Sequence, residues 1–137
     1  MISGVENRHE KIVVSIQNNL LAESITKILA DSGVFNPFRI QVHRKNKDTA
    51  KQCEAIQTEM LLAEVSYSPG TTLDTRLAEA DELRRILPGC LIVLLCDENS
   101  APDIAKEVMH AKKDGKIDAF FYTSVTQNYL LAALEAL

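Results

Sequence analysis

The sequence has no long hydrophobic run. Across its 137 residues no stretch approaches the roughly 18 apolar residues a membrane-spanning helix needs. The opening MISGVENRHEK has no apolar signal-peptide core. A cytoplasmic location without membrane contact is therefore expected. An excess of positive charge is missing too. With a net charge of −4 the chain has no general attraction for nucleic acid or an anionic lipid surface, so direct nucleic-acid binding by this domain is not expected. The three cysteines, Cys53, Cys90 and Cys96, are odd in number and form no CxxC, which reads as buried reduced thiols. His9, His43 and His110 lie far apart, with no zinc-type spacing. Neither GxGxxG nor GxxxxGK[ST] occurs, which argues against those kinds of nucleotide binding. Ser66 and Ser68 lack the GxSxG context of a nucleophile elbow. Cys96 has no adjacent cation or histidine to activate it. No cofactor, metal or catalytic role is expected.

What is present is a regular alternation of two periods. The chain is 46% apolar and 25% charged, ordinary values for one globular domain with a real core. Short apolar runs fall at Lys11–Ile16, Phe38–Val42, Met60–Val65, Leu91–Cys96 and Ala119–Tyr122. Three are nearly continuous, as for strands buried on both faces. FRIQV alternates, as for a strand nearer an edge. Between them lie helical patterns. Leu21, Ile25, Ile28 and Leu29 share one face, with Gly33 as a stop. Asp48 or Thr49 caps a helix carrying Ala50, Cys53 and Ile56. Leu73, Leu77, Leu83 and Leu87 mark a longer helix, ended by Pro88-Gly89. Ser100-Ala101-Pro102 opens the next, whose stripe is Ile104, Val108 and Ala111, closed by Gly115. The last starts near Thr126 and presents Leu130, Leu131, Leu134 and Leu137.

Strand and helix thus alternate five times. That pattern predicts an α/β domain over 11–137, after a loose tail at 1–10. Its three layers would hold a five-stranded parallel sheet, helices on both faces and the flavodoxin-like order 2-1-3-4-5. Ligands in such folds sit at the carboxyl ends of the strands. The loop after the first run, Ile16-Gln17-Asn18-Asn19, contains no glycine and is a poor phosphate cradle. Glu64 ends the third run. Asp97 and Glu98 follow the fourth and could join Glu64 in a small anionic cluster.

Three phrases carry a family resemblance over about residues 11–137. They are KIVVSIQNNLLAESITKIL, LDTRLAEADELRRILPGCLIVLLC and AFFYTSVTQNYLLAALEAL. Their order and spacing resemble the receiver domain of bacterial response regulators, closest to receivers that precede LuxR-type DNA-binding domains. The resemblance implies a signal-transduction domain of two-component systems. It places the family's phosphoacceptor aspartate on Glu64 and its metal-binding acidic pair on Ile16 and Gln17. It places the switch hydroxyl on Cys96, the invariant lysine on Thr123 and the switch aromatic on Phe120. Almost every element of the phosphorylation machinery is therefore replaced. Ile16 and Gln17 carry no charge to hold a divalent ion, and Thr123 supplies no cation beside a phosphate. Glu64 is one methylene longer than aspartate, and its reach and charge could imitate a phosphorylated aspartate.

The reading that follows is a pseudo-receiver, a regulatory protein-interaction module and not an enzyme. The resemblance puts partner or homodimer contacts on the fourth helix, fifth strand and fifth helix. That surface would include His110, Lys112, Lys113, Tyr122, Gln127 and Tyr129. In a longer regulator a DNA-binding domain would follow the last helix. Two alternatives stand beside it. One is a phosphoacceptor receiver that uses a non-standard site. The other is a flavodoxin-like small-molecule sensor, whose pocket at the strand ends would be lined by Gln17, Glu64 and Cys96.

Overall fold

The computed structural model describes residues 10–42, 49–97 and 102–137. Five strands form one parallel sheet: β1 (Glu10–Ser15), β2 (Phe35–Arg39), β3 (Met60–Val65), β4 (Leu91–Cys96) and β5 (Ala119–Tyr122). Their order is β2-β1-β3-β4-β5, as the alternating pattern predicts. The connecting helices are α1 (Asn19–Asp31), α2 (Thr49–Ile56), α3 (Leu73–Ile86), α4 (Pro102–Lys113) and α5 (Gln127–Glu135).

Side chains alternate across the sheet and divide the core in two. Ile12, Val14, Leu62, Val93 and Leu95 pack with Ala22, Ile25 and Leu29 of α1 and with Leu130 and Leu134 of α5. Val13, Leu61, Ala63, Ile92 and Leu94 face α2, α3 and α4, meeting Cys53, Leu83 and Val108. The register keeps each set on its own side: Val13 is abreast of Leu61, and Leu61 of Ile92. No helix among the described residues is long and apolar enough to cross a membrane.

Local chemistry explains the boundaries. The side chains of Asn18 and Thr126 accept hydrogen bonds from the backbone N–H groups of Leu21 and Tyr129, capping α1 and α5. Thr72 does the same for α3 through Thr75. Gly115, at φ +78°, ends α4 while Lys116 N–H bonds back to the Ala111 carbonyl.

Three expectations need correction. β1 runs from Glu10, not Lys11, because Glu10 N–H donates to the Val34 carbonyl; it ends at Ser15, and Glu10 belongs to the sheet and not to a tail. β2 is Phe35–Arg39 and not Phe38–Val42. Phe35 is the residue that enters the core, and Pro37 is tolerated because β2 is an edge strand. Leu137, expected on the apolar stripe of α5, is exposed. His9, His43, Asp48, Glu98, Ser100 and Ala101 lie outside the described residues, as does the expected tail up to residue 9.

Candidate functional site

The sheet order reverses between β1 and β3, so the chain leaves these neighbouring strands toward opposite faces, into α1 and α3. A crevice opens there at the carboxyl edge. It is a cleft of about 540 Å³. Asn18, Leu20, Leu21 and Ser24 contribute from the start of α1, and Glu64, Val65 and Ser66 from the end of β3. Leu95, Asp97 and Thr123 complete it from the ends of β4 and β5. A narrower recess continues between α1 and α5, past Ile25, Ile28 and Leu130. Gln127 Nε2 donates to Ser24 Oγ across the two helices at 2.8 Å.

Glu64 is the focus of the cleft. Its side chain lies on the α1/α5 side of the sheet, and its Oε1 accepts the backbone N–H of Gln17 at 2.8 Å. That charge-assisted bond ties the carboxyl ends of β3 and β1 together. Glu64 has no ion-pair partner among the described residues, and none of the described residues lining the cleft is basic. The β3–α3 loop beside it is bonded to itself. Ser66 N–H donates to the Thr71 carbonyl, and Thr71 N–H to that of Ser68.

The backbone of Glu64 has a different neighbour. Arg76 of α3 is only 2% exposed. Its Nε donates to the Glu64 carbonyl at 2.8 Å and its Nη2 to the Ser15 carbonyl at 2.8 Å. Nη1 reaches Ser15 Oγ at 2.9 Å and pairs with Glu79 Oε1 at 3.1 Å. One guanidinium therefore joins the ends of β1 and β3 to α3, on the side of the sheet opposite the Glu64 carboxylate. Reading the sequence for charge missed it, since Arg76 looks like a surface residue. The available signal was spacing: Arg76, Ala80 and Leu83 are the three buried residues of α3 and share one helix face.

The remaining predicted positions divide. Glu64 and Thr123 do line one cleft. Ile16 is 1% exposed and belongs to the core beneath α1. Gln17 meets the site through its backbone N–H. Cys96 is 1% exposed, on the side facing α2, α3 and α4. A pocket lined by Gln17, Glu64 and Cys96 is thus corrected to one lined by Glu64, Leu95, Asp97 and Thr123. The cause is the period of two along β4, which turns Cys96 away and leaves Leu95 facing the cleft. Phe120 is partly buried on the same side as Cys96. Of the expected interface, His110, Lys112, Lys113, Gln127 and Tyr129 are exposed. Tyr122 is half-buried, its ring edge-on to Phe120 at 5.8 Å. All three cysteines are buried and outside any disulfide, as expected.

No protein-family model matches the sequence, and no curated protein does either. Solved structures do match. The signal receiver domain of the response regulator NarL from Mycobacterium tuberculosis is 15% identical, with a TM-score of 0.72 over 94% of this chain and 95% of that one. The fold is that of a response-regulator receiver. A LuxR-family DNA-binding response regulator from Staphylococcus aureus shares this receiver fold at 14% identity and a TM-score of 0.69, over 93% of this chain and 97% of that one. A pilus assembly-related protein from Burkholderia pseudomallei has it as well, at 17% identity and 0.63, over 96% and 90%. At such identities it is the receiver fold that is shared, and what this chain's site does rests on its own residues.

Proposed function

We propose that this domain is a signal-transduction module of receiver fold that works through protein–protein contact, without accepting a phosphoryl group. The observation that carries this reading is the charge of the cleft: two carboxylates, Glu64 and Asp97, and no basic side chain among the described lining residues. A phosphorylated carboxylate needs positive charge around its oxygens, from a divalent ion and a cationic side chain. Thr123 offers a neutral hydroxyl. Ile16 is sealed in the core and Gln17 is uncharged. Among the described residues no group of three His, Cys, Asp or Glu side chains is placed to hold a metal, and one oxygen of Glu64 is already engaged by Gln17 N–H. These residues do not fit a magnesium-assisted phosphoryl centre. In this reading Glu64 stands at the phosphoacceptor position, and Ile16, Gln17, Cys96 and Thr123 are its altered companions.

The partner or second copy would meet α4, β5 and α5, where His110, Lys112, Lys113, Gln127 and Tyr129 are exposed. Tyrosine in such a place is an effective interface anchor. In a longer regulator the output would be a DNA-binding domain, by analogy with the response regulator of Staphylococcus aureus. The test is incubation of the chain with acetyl phosphate and Mg²⁺, followed by intact-mass measurement. The expected result is an unchanged mass. A magnesium-dependent phospho-adduct that disappears in Glu64→Ala would sink the proposal.

A further inference from the structure

The recess between α1 and α5 differs in chemistry from the cleft it joins. Its volume is about 160 Å³, and its walls are aliphatic: Leu21, Ile25 and Ile28 of α1, Leu95 of β4, Val125 and Leu130. All but Ile28 belong to the core packing on that side of the sheet, so the fold itself fixes the walls. No Asp, Glu, Lys, Arg or His is among the described residues lining it. One polar pair is set into this lining, the bond from Gln127 Nε2 to Ser24 Oγ. Gln127 uses its amide donor there, and an amide oxygen is also an acceptor. The Thr126 hydroxyl is engaged by Tyr129 N–H. Leu21, Ser24, Leu95 and Thr123 line both the recess and the Glu64 cleft, so the two are continuous.

We infer that this recess binds a small neutral molecule of the phenol class, with its ring against the aliphatic walls and its hydroxyl on the Ser24–Gln127 pair. Volume selects the size, since a cavity of about 150 Å³ with aliphatic walls takes up a single benzene ring. Burial of the ring drives entry, and a rigid ring has little rotational freedom to lose. The lining selects neutrality. An ion would give up its hydration with no charge opposite it, and an anion would also meet Glu64 and Asp97 of the adjoining cleft. A free molecule fits better than a partner's side chain, because the recess has no exposed apolar rim for a partner to cover. The large apolar side chains that stand in solvent among the described residues, Leu20, Tyr67, Met109, Tyr129 and Leu137, do not line it. The inference goes beyond the contact proposed for α4, β5 and α5 and does not depend on it.

The test titrates phenol into the ¹⁵N-labelled full chain. Phenol should shift the amides of Ser24, Ile25, Thr123 and Gln127 with a Kd of about 1 mM or lower, and should raise the melting temperature. Benzoate, the same ring with a negative charge, should do neither. Ile28→Trp fills the recess from a half-buried position and should weaken phenol about tenfold or more. Gln127→Ala, at an exposed position, should weaken phenol about three- to tenfold and leave toluene, which has no hydroxyl, unchanged. Melting curves of the free variants would show that they remain folded. Absence of shifts at about 5 mM phenol overturns the inference. So do shifts confined to other elements, benzoate binding as tightly as phenol, a folded Ile28→Trp with the affinity of the parent, and equal weakening of phenol and toluene by Gln127→Ala. N-acetyl-tyrosine amide binding about tenfold tighter than phenol would give the recess to a partner's side chain and overturn it too. A phospho-adduct in the mass experiment would leave these outcomes untouched, so the two proposals fail separately.

Discussion

Glu64 divides the carboxyl edge of the sheet into two unlike regions. On one side its carbonyl accepts from the buried guanidinium of Arg76, within a cluster of Ser15 and Glu79. On the other its carboxylate points into an open cleft and accepts from the backbone of Gln17. The first region is closed, and Arg76 has four hydrogen bonds there. The second is open, and none of its described lining residues is basic. The domain therefore contains a positive charge close to Glu64, and it is spent on architecture. A closed polar cluster contributes stability, while an open one is free to serve recognition.

The largest effect should come from breaking the closed region. Arg76→Met removes the guanidinium donors from that cluster and leaves the Ser15 and Glu64 carbonyls and the nearly buried Glu79 carboxylate without them. Unpairing buried partners in this way costs about 3–5 kcal/mol, to be measured by urea unfolding. Arg76→Lys should recover only part, because a point charge cannot reproduce a fork that reaches two strands. Adding Glu79→Leu to Arg76→Met should restore some of the loss by removing the stranded carboxylate. If Arg76→Met is as stable as the parent, the cluster does not hold α3 and the contrast collapses.

A smaller effect is expected at high pH, on the same closed side. Burial pushes the Cys53 thiol from its ordinary 9.0 up to about 12, helped by the nearby Cys90 and Glu79. Burial also pushes Cys90 up to about 11; Asp118 adds to this, against the lowering influence of Arg84 and a backbone hydrogen bond from Leu61. The folded state then keeps these protons at pH values where the unfolded chain has lost them. The resulting stability is complete below pH 9.0 and drains away as pH rises toward 11 and 12. Each thiol contributes a slope of about 1.4 kcal/mol per pH unit at most. Cys53→Ala should flatten the alkaline limb of a stability–pH curve relative to the parent. An unchanged limb would show that the thiol is not sealed.

The same contrast explains what could be read from the sequence. Met60–Val65, Leu91–Cys96 and Ala119–Tyr122 are strands at the residues expected, because each is a nearly continuous apolar run bounded by turn residues. Edge strand β2 was displaced because it is only partly buried, and its anchor, Phe35, lies two residues before a proline. The start of α5 near Thr126 was legible, and the structure makes Thr126 its cap. Glu64 and Thr123 were legible as neighbours because the resemblance maps both onto one pocket at the carboxyl ends of the strands. The inward turn of Cys96 and the engagement of Gln17 through its backbone depend on which side of the sheet each strand presents, and a one-residue shift reverses that. Arg76 was hidden for a deeper reason: composition marks arginine as a surface residue, and only the strand-end carbonyls and Ser15, remote in sequence, make its burial affordable.

The smallest effect should come from the open region. Glu64→Gln keeps an oxygen that can accept the Gln17 N–H and removes only the charge. Gln17 is exposed, so water can satisfy its N–H if the side chain moves. The cost should stay below about 1 kcal/mol, several times less than for Arg76→Met, in the same urea experiment. Glu64→Ala should cost little more, since the bond lost lies at the surface. A tolerant Glu64 beside an intolerant Arg76 would mean that the carboxylate is dispensable to the fold. If instead Glu64→Gln unfolds the domain as readily as Arg76→Met, the carboxylate is a structural tie between β1 and β3, and the two regions do not differ.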